Sequence, residues 1–172
     1  LYTLDGLNTR PTLDRVRESL FNILQNNIRD AKVLDLFAGS GAIGLEALSR
    51  GAEKAILCDK NKTAIEIIKQ NVHKLRMQDK AIIKHMDYEQ FLKTSKEKFN
   101  FIYIDPPYKA NFISNSLEII CNRNLLEKDA VIVAETDELE RIENEIKELG
   151  LSINIYDVRK YGRARLIFMR KE

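Results

Sequence analysis

The stretch Val33-Leu34-Asp35-Leu36-Phe37-Ala38-Gly39-Ser40-Gly41-Ala42-Ile43-Gly44 constrains the fold more than any other part of the chain. A short apolar run ends in glycines spaced GxGxxG and passes into a segment that reads as helix. Glycine tolerates the backbone angles of a tight strand-to-helix turn and lets backbone N–H groups approach a ligand. A strand that leaves through a helix returns to its sheet parallel to itself. The rest of the sequence repeats this unit. The spacing predicts a helix over Thr12–Ile28 with Thr12 as its N-cap, then a strand over Lys32–Phe37 and a helix over Ala42–Ser49. Next come a strand over Ala55–Cys58, a helix carrying Ala64, Ile65, Ile68 and Val72, and a short strand over Ala81–Ile83. A strand over Phe99–Ile104, a helix over Phe112–Ile120, a strand over Ala130–Ala134 and a helix over Leu139–Leu149 follow. The chain closes on two β-rich segments, Leu151–Val158 and Leu166–Met169, joined across Tyr161-Gly162. So short a connection forces an antiparallel pair. The expected fold is α/β, Rossmann-like: a mostly parallel sheet with one antiparallel strand near its end and helices on both faces, in a single domain spanning residues 1–172.

In such sheets ligands collect at the carboxyl ends of the strands, and the acidic residues that matter fall there. Asp59 follows Gly39 by 20 residues at the end of the second strand, where a carboxylate accepts the hydroxyls of a ribose. Asp35 lies four residues before Gly39, at the strand end facing the glycine loop. A carboxylate there repels the pyrophosphate of NAD and attracts the ammonium of S-adenosylmethionine. A dehydrogenase would also need a substrate domain, for which little chain remains. Asp87 has two readings, a contact to the adenine amine or the N-cap of a helix beginning Tyr88-Glu89-Gln90. Phe37, Ala38, Gly41, Lys60 and Tyr88, beside these residues in the chain, complete the candidate cofactor pocket.

The second informative stretch is Asn100-Phe101-Ile102-Tyr103-Ile104-Asp105-Pro106-Pro107-Tyr108. Pro106 confines Asp105 to extended geometry, and the two prolines stiffen the turn. A rigid set of acceptors beside a flat aromatic ring suits a planar ring that bears an NH₂ group, with Asp105 and a backbone carbonyl accepting its hydrogens and Tyr108 stacking on its face. Asp105, Pro106, Pro107 and Tyr108 are therefore the candidate catalytic residues. The lone pair of an exocyclic base amine is delocalised into its ring; accepting its hydrogens localises the pair, and the carboxylate offsets the positive charge that develops on nitrogen. A base stacked in a duplex cannot reach such a site, so it must be unpaired or flipped out.

These residues resemble the class I methyltransferases with a [DNS]PP[YFW] motif. Arg10-Pro11-Thr12 with Asp14-Arg15-Val16-Arg17-Glu18, then Asp35 to Gly41 with Gly44 to Arg50, Asp105 to Tyr108 and Lys160-Tyr161-Gly162 resemble, more narrowly, the bacterial 16S rRNA guanine-N2 methyltransferases of the RsmD type. The resemblance implies a seven-stranded sheet, S-adenosylmethionine as methyl donor and one guanine of small-subunit rRNA, naked or in an assembled particle, as target. It assigns Asp105 and Tyr108 to the guanine and Asp35, Gly39, Asp59 and Asp87 to the cofactor. Family members begin with a short basic segment before Arg10, and the chain, opening at Leu1, is expected to lack it. An adenine-N6 or a protein-glutamine methyltransferase uses related motifs, commonly with Asn where Asp105 stands. A cofactor-binding module without activity is the remaining alternative, against which the intact Asp105 and Tyr108 argue.

The net charge of +2 means that any grip on nucleic acid must come from local clusters. Arg159, Lys160, Arg163, Arg165, Arg170 and Lys171 crowd the end of the chain, and Arg10, Arg15 and Arg17 its start. Arg10, Arg15, Arg163 and Arg165 are the candidate RNA contacts if both ends lie beside the active face; otherwise they form a solvated surface. The acidic segment Glu138–Glu148 reads as a solvated helix face. Cys58 and Cys121 lack metal-ligand or CxxC spacing, and His73 and His85 lack metal-like partners, so buried thiols and no metal are expected. No apolar run approaches the roughly 18 residues that span a bilayer. A cytoplasmic monomer without membrane contact is the expectation.

Overall fold

The computed structural model describes Tyr2, residues 11–107 and residues 111–172, with the backbone alone at 11 and 12. Helices and strands alternate as α1 (Pro11–Ile28), β1 (Lys32–Asp35), α2 (Ala42–Ser49), β2 (Lys54–Asp59), α3 (Lys62–Lys74), β3 (Ala81–His85), α4 (Tyr88–Thr94) and β4 (Phe99–Ile104). They continue as α5 (Phe112–Asn122), β5 (Leu126–Thr136), α6 (Leu139–Glu148), β6 (Ile153–Tyr161) and β7 (Ala164–Lys171). The seven strands form one sheet in the order β3-β2-β1-β4-β5-β7-β6. β1 to β5 pair in parallel, while β7 inserts antiparallel between β5 and β6.

Alternation along each strand divides the core into two layers. Val33, Ala55, Leu57, Phe101, Tyr103, Val131, Val133, Leu166 and Phe168 face α1, α2 and α3. Leu34, Ile56, Cys58, Ile102, Ile104, Ile132, Ala134, Ile167 and Met169 face α4, α5 and α6. Phe21 of α1 meets Phe101 edge-to-face, with ring centroids 6.4 Å apart. Both rings are fully buried. Truncating either to alanine would cost about 3–5 kcal/mol.

Several expected boundaries shift for local reasons. The first strand stops at Asp35 rather than Phe37, because the chain must turn toward the glycine loop; the Leu36 N–H still bonds to β4, donating to the Tyr103 carbonyl at 3.1 Å. The fifth strand begins four residues earlier than Ala130 and contains an irregularity of register against β4. A seven-residue helix, α4, stands where the Asp87 cap had been one of two readings; the Asp87 side chain accepts from the Glu89 N–H at 3.1 Å.

β1 and β4 are neighbours in the sheet although β2 and β3 lie on the far side of β1. The strand order reverses between them, and this crevice is where ligands bind in open α/β sheets. The antiparallel β7 brings its first residues, not its last, to the same end of the sheet, since Arg165 is opposite Thr136 and Met169 opposite Ile132.

Candidate functional site

The glycine loop and the β4 turn flank the crevice. Gly39 and Gly41 have φ of 60° and 84°, left-handed values that cost an L side chain energy and glycine little. Gly44 serves a different purpose: a Cβ there would collide with the Leu57 side chain, so its absence lets α2 seat against β2. α2 has no side-chain cap at Gly41. One of its open N–H groups, that of Gly44, instead donates to Asp35 Oδ2 at 3.2 Å. Asp35 thus caps a helix from the strand before it, and the helix's positive end faces its carboxylate.

Asp35 is 1% exposed. Burial is the first cause that pushes its pKa up to about 7; the Gly44 N–H pulls it down and the charge of Asp59 pushes it further up. No cation is among these groups, so the buried carboxylate has no counter-charge among the described residues. That is the environment an incoming ammonium completes.

Asp59 holds the loop together from β2. Its Oδ2 accepts from the Gly39 N–H and its Oδ1 from the Asn61 N–H, both at 2.9 Å. Asn61 in turn caps α3. Ala38 is buried and its N–H donates to the Cys58 carbonyl at 2.8 Å. Lys60 points to solvent beside this turn, and its carbonyl lies 3.1 Å from His85 Nε2.

On the other sheet face at this end, Phe37, Tyr88 and Phe112 form an aromatic trio. Tyr88 lies 5.0 Å from Phe37 and 5.3 Å from Phe112 between ring centroids. Asn115 donates to the Tyr88 hydroxyl at 2.8 Å, which fixes the ring. Phe112 and Asn115 did not stand out in the sequence, where nothing distinguishes them from ordinary residues of a helix's first turn.

Asp105 follows β4 and continues its alternation, on the face of Phe101 and Tyr103. The residue as a whole is open to solvent, while its carboxyl is crowded by protein and by other acids. Burial of the carboxyl and the charges of Glu135 and Asp35 raise its pKa well above the usual carboxylate range, and a side-chain hydrogen bond links it to Glu135. Glu135 Oε2 also accepts from the Tyr103 hydroxyl at 2.9 Å. Glu135 went unremarked in the sequence; the alternation Val131, Val133, Glu135 was the signal that could have found it. β4 ends at Ile104, and Pro106 and a bend at Pro107 follow it. Tyr108 and Arg10 lie outside the described residues.

The basic clusters separate. Arg163 and Arg165 sit at the β6–β7 hairpin tip, beside the carboxyl end of β5, with Arg159 and Lys160 across the ladder from Leu166 and Arg165. Arg170 and Lys171 lie at the opposite end. Arg15 is exposed in the first half of α1; that half points toward the strands' carboxyl ends, because α1 turns directly into the start of β1. Cys58 is buried, its thiol pushed up to about 12 by burial and nearby acids. A cavity of about 180 Å³ lined by Ile56, Lys84, Met86 and Phe91 collects none of the candidate residues. Among the described residues, no cluster of His, Cys, Asp or Glu is placed to hold a metal ion, and no helix is long and apolar enough to cross a membrane.

Comparison with known proteins agrees with this geometry. The family model described as "Conserved hypothetical protein 95" matches residues 1–170. The Haemophilus influenzae protein named ribosomal RNA small subunit methyltransferase D is 36% identical over 140 residues, covering 80% of this chain and 72% of that one. The Escherichia coli protein of the same name is 35% identical over 133 residues, covering 77% and 67%. The chain belongs to the RsmD family. Among solved structures, yhhF from Escherichia coli superposes on this RsmD-family chain with a TM-score of 0.81 at 29% identity, covering 96% of this chain and 91% of that one. The ribosomal protein L11 methylase of Lactobacillus delbrueckii subsp. bulgaricus, at 16% identity and a TM-score of 0.77, covers 96% and 81% and shares the Rossmann-like fold.

Proposed function

We propose that this chain transfers a methyl group from S-adenosylmethionine to the exocyclic N2 amine of a guanine in 16S ribosomal RNA, acting as a cytoplasmic monomer. The observation that carries the reading is the placement of two carboxylates across the β1/β4 crevice. Asp35 is buried under the glycine loop with no compensating cation among the described residues, and Asp105 stands at a rigid Pro-Pro turn. The names of the family's relatives, rRNA small subunit methyltransferases, supply the substrate class.

When bound, S-adenosylmethionine supplies an electrophilic methyl group on a sulfonium. Asp35 fits its ammonium. Asp59 fits the ribose hydroxyls, each of its oxygens accepting one backbone N–H and having a second lone pair to offer. Phe37, Ala38, Gly39, Gly41 and Lys60 line the same turn, and Asp87 and Tyr88 with Phe37 and Phe112 form the wall suited to adenine. Asp105 accepts a hydrogen of the guanine amine and holds its nitrogen in line with the methyl carbon, which is mostly positional catalysis. Tyr108 stacks on the flipped base. Arg10, Arg15, Arg163 and Arg165 bind phosphates of the RNA, which orients it without reading its sequence.

Incubation with a labelled donor and either naked 16S rRNA or assembled small subunits, followed by nucleoside analysis, tests this. N2-methylguanosine is expected. N6-methyladenosine in its place would shift the target to adenine, and labelled glutamine in protein would shift it to the other alternative. Calorimetry should show binding of S-adenosylhomocysteine and none of NAD; the reverse would sink the methyltransferase reading.

A further inference from the structure

Asn71 interrupts the buried side of α3. Ala64, Ile65, Ile68 and Val72 form that side, and Asn71 is fully buried among them. A buried amide without partners is costly, and here both polar atoms have them. Nδ2 donates to the Ser40 carbonyl at 2.8 Å and to the Tyr2 carbonyl at 2.9 Å, and Oδ1 accepts from the Tyr2 N–H at 2.7 Å. The amide thus pairs with the backbone of Tyr2, 69 residues away in the chain, and reaches the glycine loop with its other hydrogen. An NH₂ group has two hydrogens, and both are used. Reversing the amide would set its oxygen against two carbonyl oxygens and its hydrogens against an N–H. The Tyr2 backbone therefore selects the orientation that donates to Ser40. Lys74 Nζ lies 4.9 Å from the centroid of the Tyr2 ring and adds a weaker hold.

The bond to Ser40 completes a frame around one peptide of the glycine loop. The Ser40–Gly41 peptide is held at both ends, its carbonyl by Asn71 and its N–H by the Ala38 carbonyl at 2.8 Å. The Ala38–Gly39 peptide is held likewise, its carbonyl by the Gly41 N–H and its own N–H by Asp59 Oδ2. Between them, the Gly39–Ser40 peptide has neither group bonded among the described residues. Two fixed peptide planes thus present a third to a ligand, and a loop fixed beforehand binds at lower entropic cost. We propose that Asn71 is a positioning residue for this loop, oriented by Tyr2, so that docking of the chain at Tyr2 and binding of S-adenosylmethionine strengthen each other. The proposal rests on the reading above, in which the glycine loop is the donor's site. The link is reciprocal: the factor that Tyr2 adds to donor affinity is the factor that the donor adds to the docking of Tyr2.

Tyr2→Pro tests the link, since it removes the N–H that orients the amide and leaves Asn71 in place. In the ligand-free variant, NMR should show the Asn71 side-chain NH₂ exchanging faster with solvent and the Gly41 amide signal shifted. Calorimetry well below the thermal midpoint should show S-adenosylhomocysteine binding roughly three- to ten-fold more weakly, the scale of one hydrogen bond. Tyr2→Ala keeps both backbone groups, loses only the ring and should do less. Asn71→Ala should weaken binding at least as much as Tyr2→Pro, and combining the two should cost nothing further, because they break one connection. In the unaltered protein, S-adenosylhomocysteine should slow exchange of the Asn71 NH₂. A Tyr2→Pro variant with a lower thermal midpoint but unchanged affinity would overturn the proposal, since that is the mark of a merely structural contact. Additive losses in the double variant would overturn it too. Should Asn71→Ala fail to fold, Tyr2→Pro and Tyr2→Ala decide alone. If the unaltered protein binds no S-adenosylhomocysteine, the functional reading fails instead; the ligand-free spectra still decide whether Tyr2 sets Asn71 against the loop, and unchanged Asn71 and Gly41 signals in Tyr2→Pro would show that it does not.

Discussion

The two sides of the crevice handle negative charge in opposite ways. On the donor side each aspartate is met by backbone N–H groups: Gly44 for Asp35, Gly39 and Asn61 for Asp59. Those bonds also build the loop, so the charges and the turn hold each other in place. On the acceptor side Asp105 is met by another acid, Glu135, which itself is held by a phenol. The donor side is arranged to stay fixed and wait for a cation. The acceptor side gathers acids, and burial with their mutual charge raises the pKa of Asp105. Similar residues, carboxylates at strand ends, take on different chemistry because one set faces a helix N-terminus and a glycine turn while the other faces its own kind.

The largest expected effect comes from removing Asp105, the acid proposed to meet substrate. Asp105→Ala should lower kcat by about 100-fold or more, the scale of losing an electrostatic contact made at the reacting atoms. Affinity for S-adenosylhomocysteine should stay within a few-fold; if it fell as far as the rate, the two sides would not be separate in function. Asp35→Asn should do the reverse, weakening S-adenosylhomocysteine binding by roughly 10- to 100-fold through loss of the ammonium's partner.

The same variant probes a pH effect. The folded-state pKa of Asp35 lies at about 7, above the ordinary 3.8 that holds in the unfolded chain. The unfolded state therefore binds fewer protons between those values, and the ligand-free protein loses stability as pH rises from about 4 to about 7, then levels off. Asp35→Asn should raise the thermal midpoint of the ligand-free protein at pH 8 and leave it nearly unchanged at pH 4. A midpoint lowered at both would mean that the carboxylate's hydrogen bond to Gly44 outweighs the burial of its charge.

Gly44→Ala sharpens the donor side alone. The added methyl meets Leu57, and overpacking of this kind costs about 1–3 kcal/mol. Thermal denaturation should show the loss, with cofactor affinity falling because the N–H that supports Asp35 is displaced. The smallest effects belong to the hairpin. Arg163→Ala and Arg165→Ala should each raise KM for the RNA a few-fold and lower the salt dependence of binding by roughly one charge. Arg170→Ala should do neither; an equal effect would show that RNA wraps the far end of the sheet as well.

Much of the scaffold is legible in the sequence because glycines and prolines punctuate it. Gly39 and Gly41 mark the turn after β1, Pro106 and Pro107 end β4, and the short span around Gly162 forces the antiparallel pair. Asp35 and Asp59 could be placed at the glycine loop because their positions depend on distance along the chain from Gly39. What could not be read depends on pairing between remote segments. Asp35 as the cap of α2 requires knowing how the helix sits over the strand. Glu135 requires knowing which face of β5 meets β4. The basic tail looked like one cluster because Arg165 and Arg170 are close in sequence, yet an extended strand separates them by about 17 Å.

The irregularity in β5 has an effect at the far end of that strand. Between the pair Phe99–Leu126 and the pair Phe101–Val131, β4 advances two residues and β5 advances five. The surplus is odd, and Asp129 takes it up with a left-handed φ of 61°. Side chains alternate along a strand, so an odd surplus exchanges its two faces for everything downstream. With an even count, Ala134 would stand where Glu135 does, and Asp105 would face a methyl group. A kink at the amino end of the strand thus works as a parity switch for the acid at its carboxyl end, and deleting one residue from 127–130 would exchange the acidic and apolar faces without altering any residue of the site.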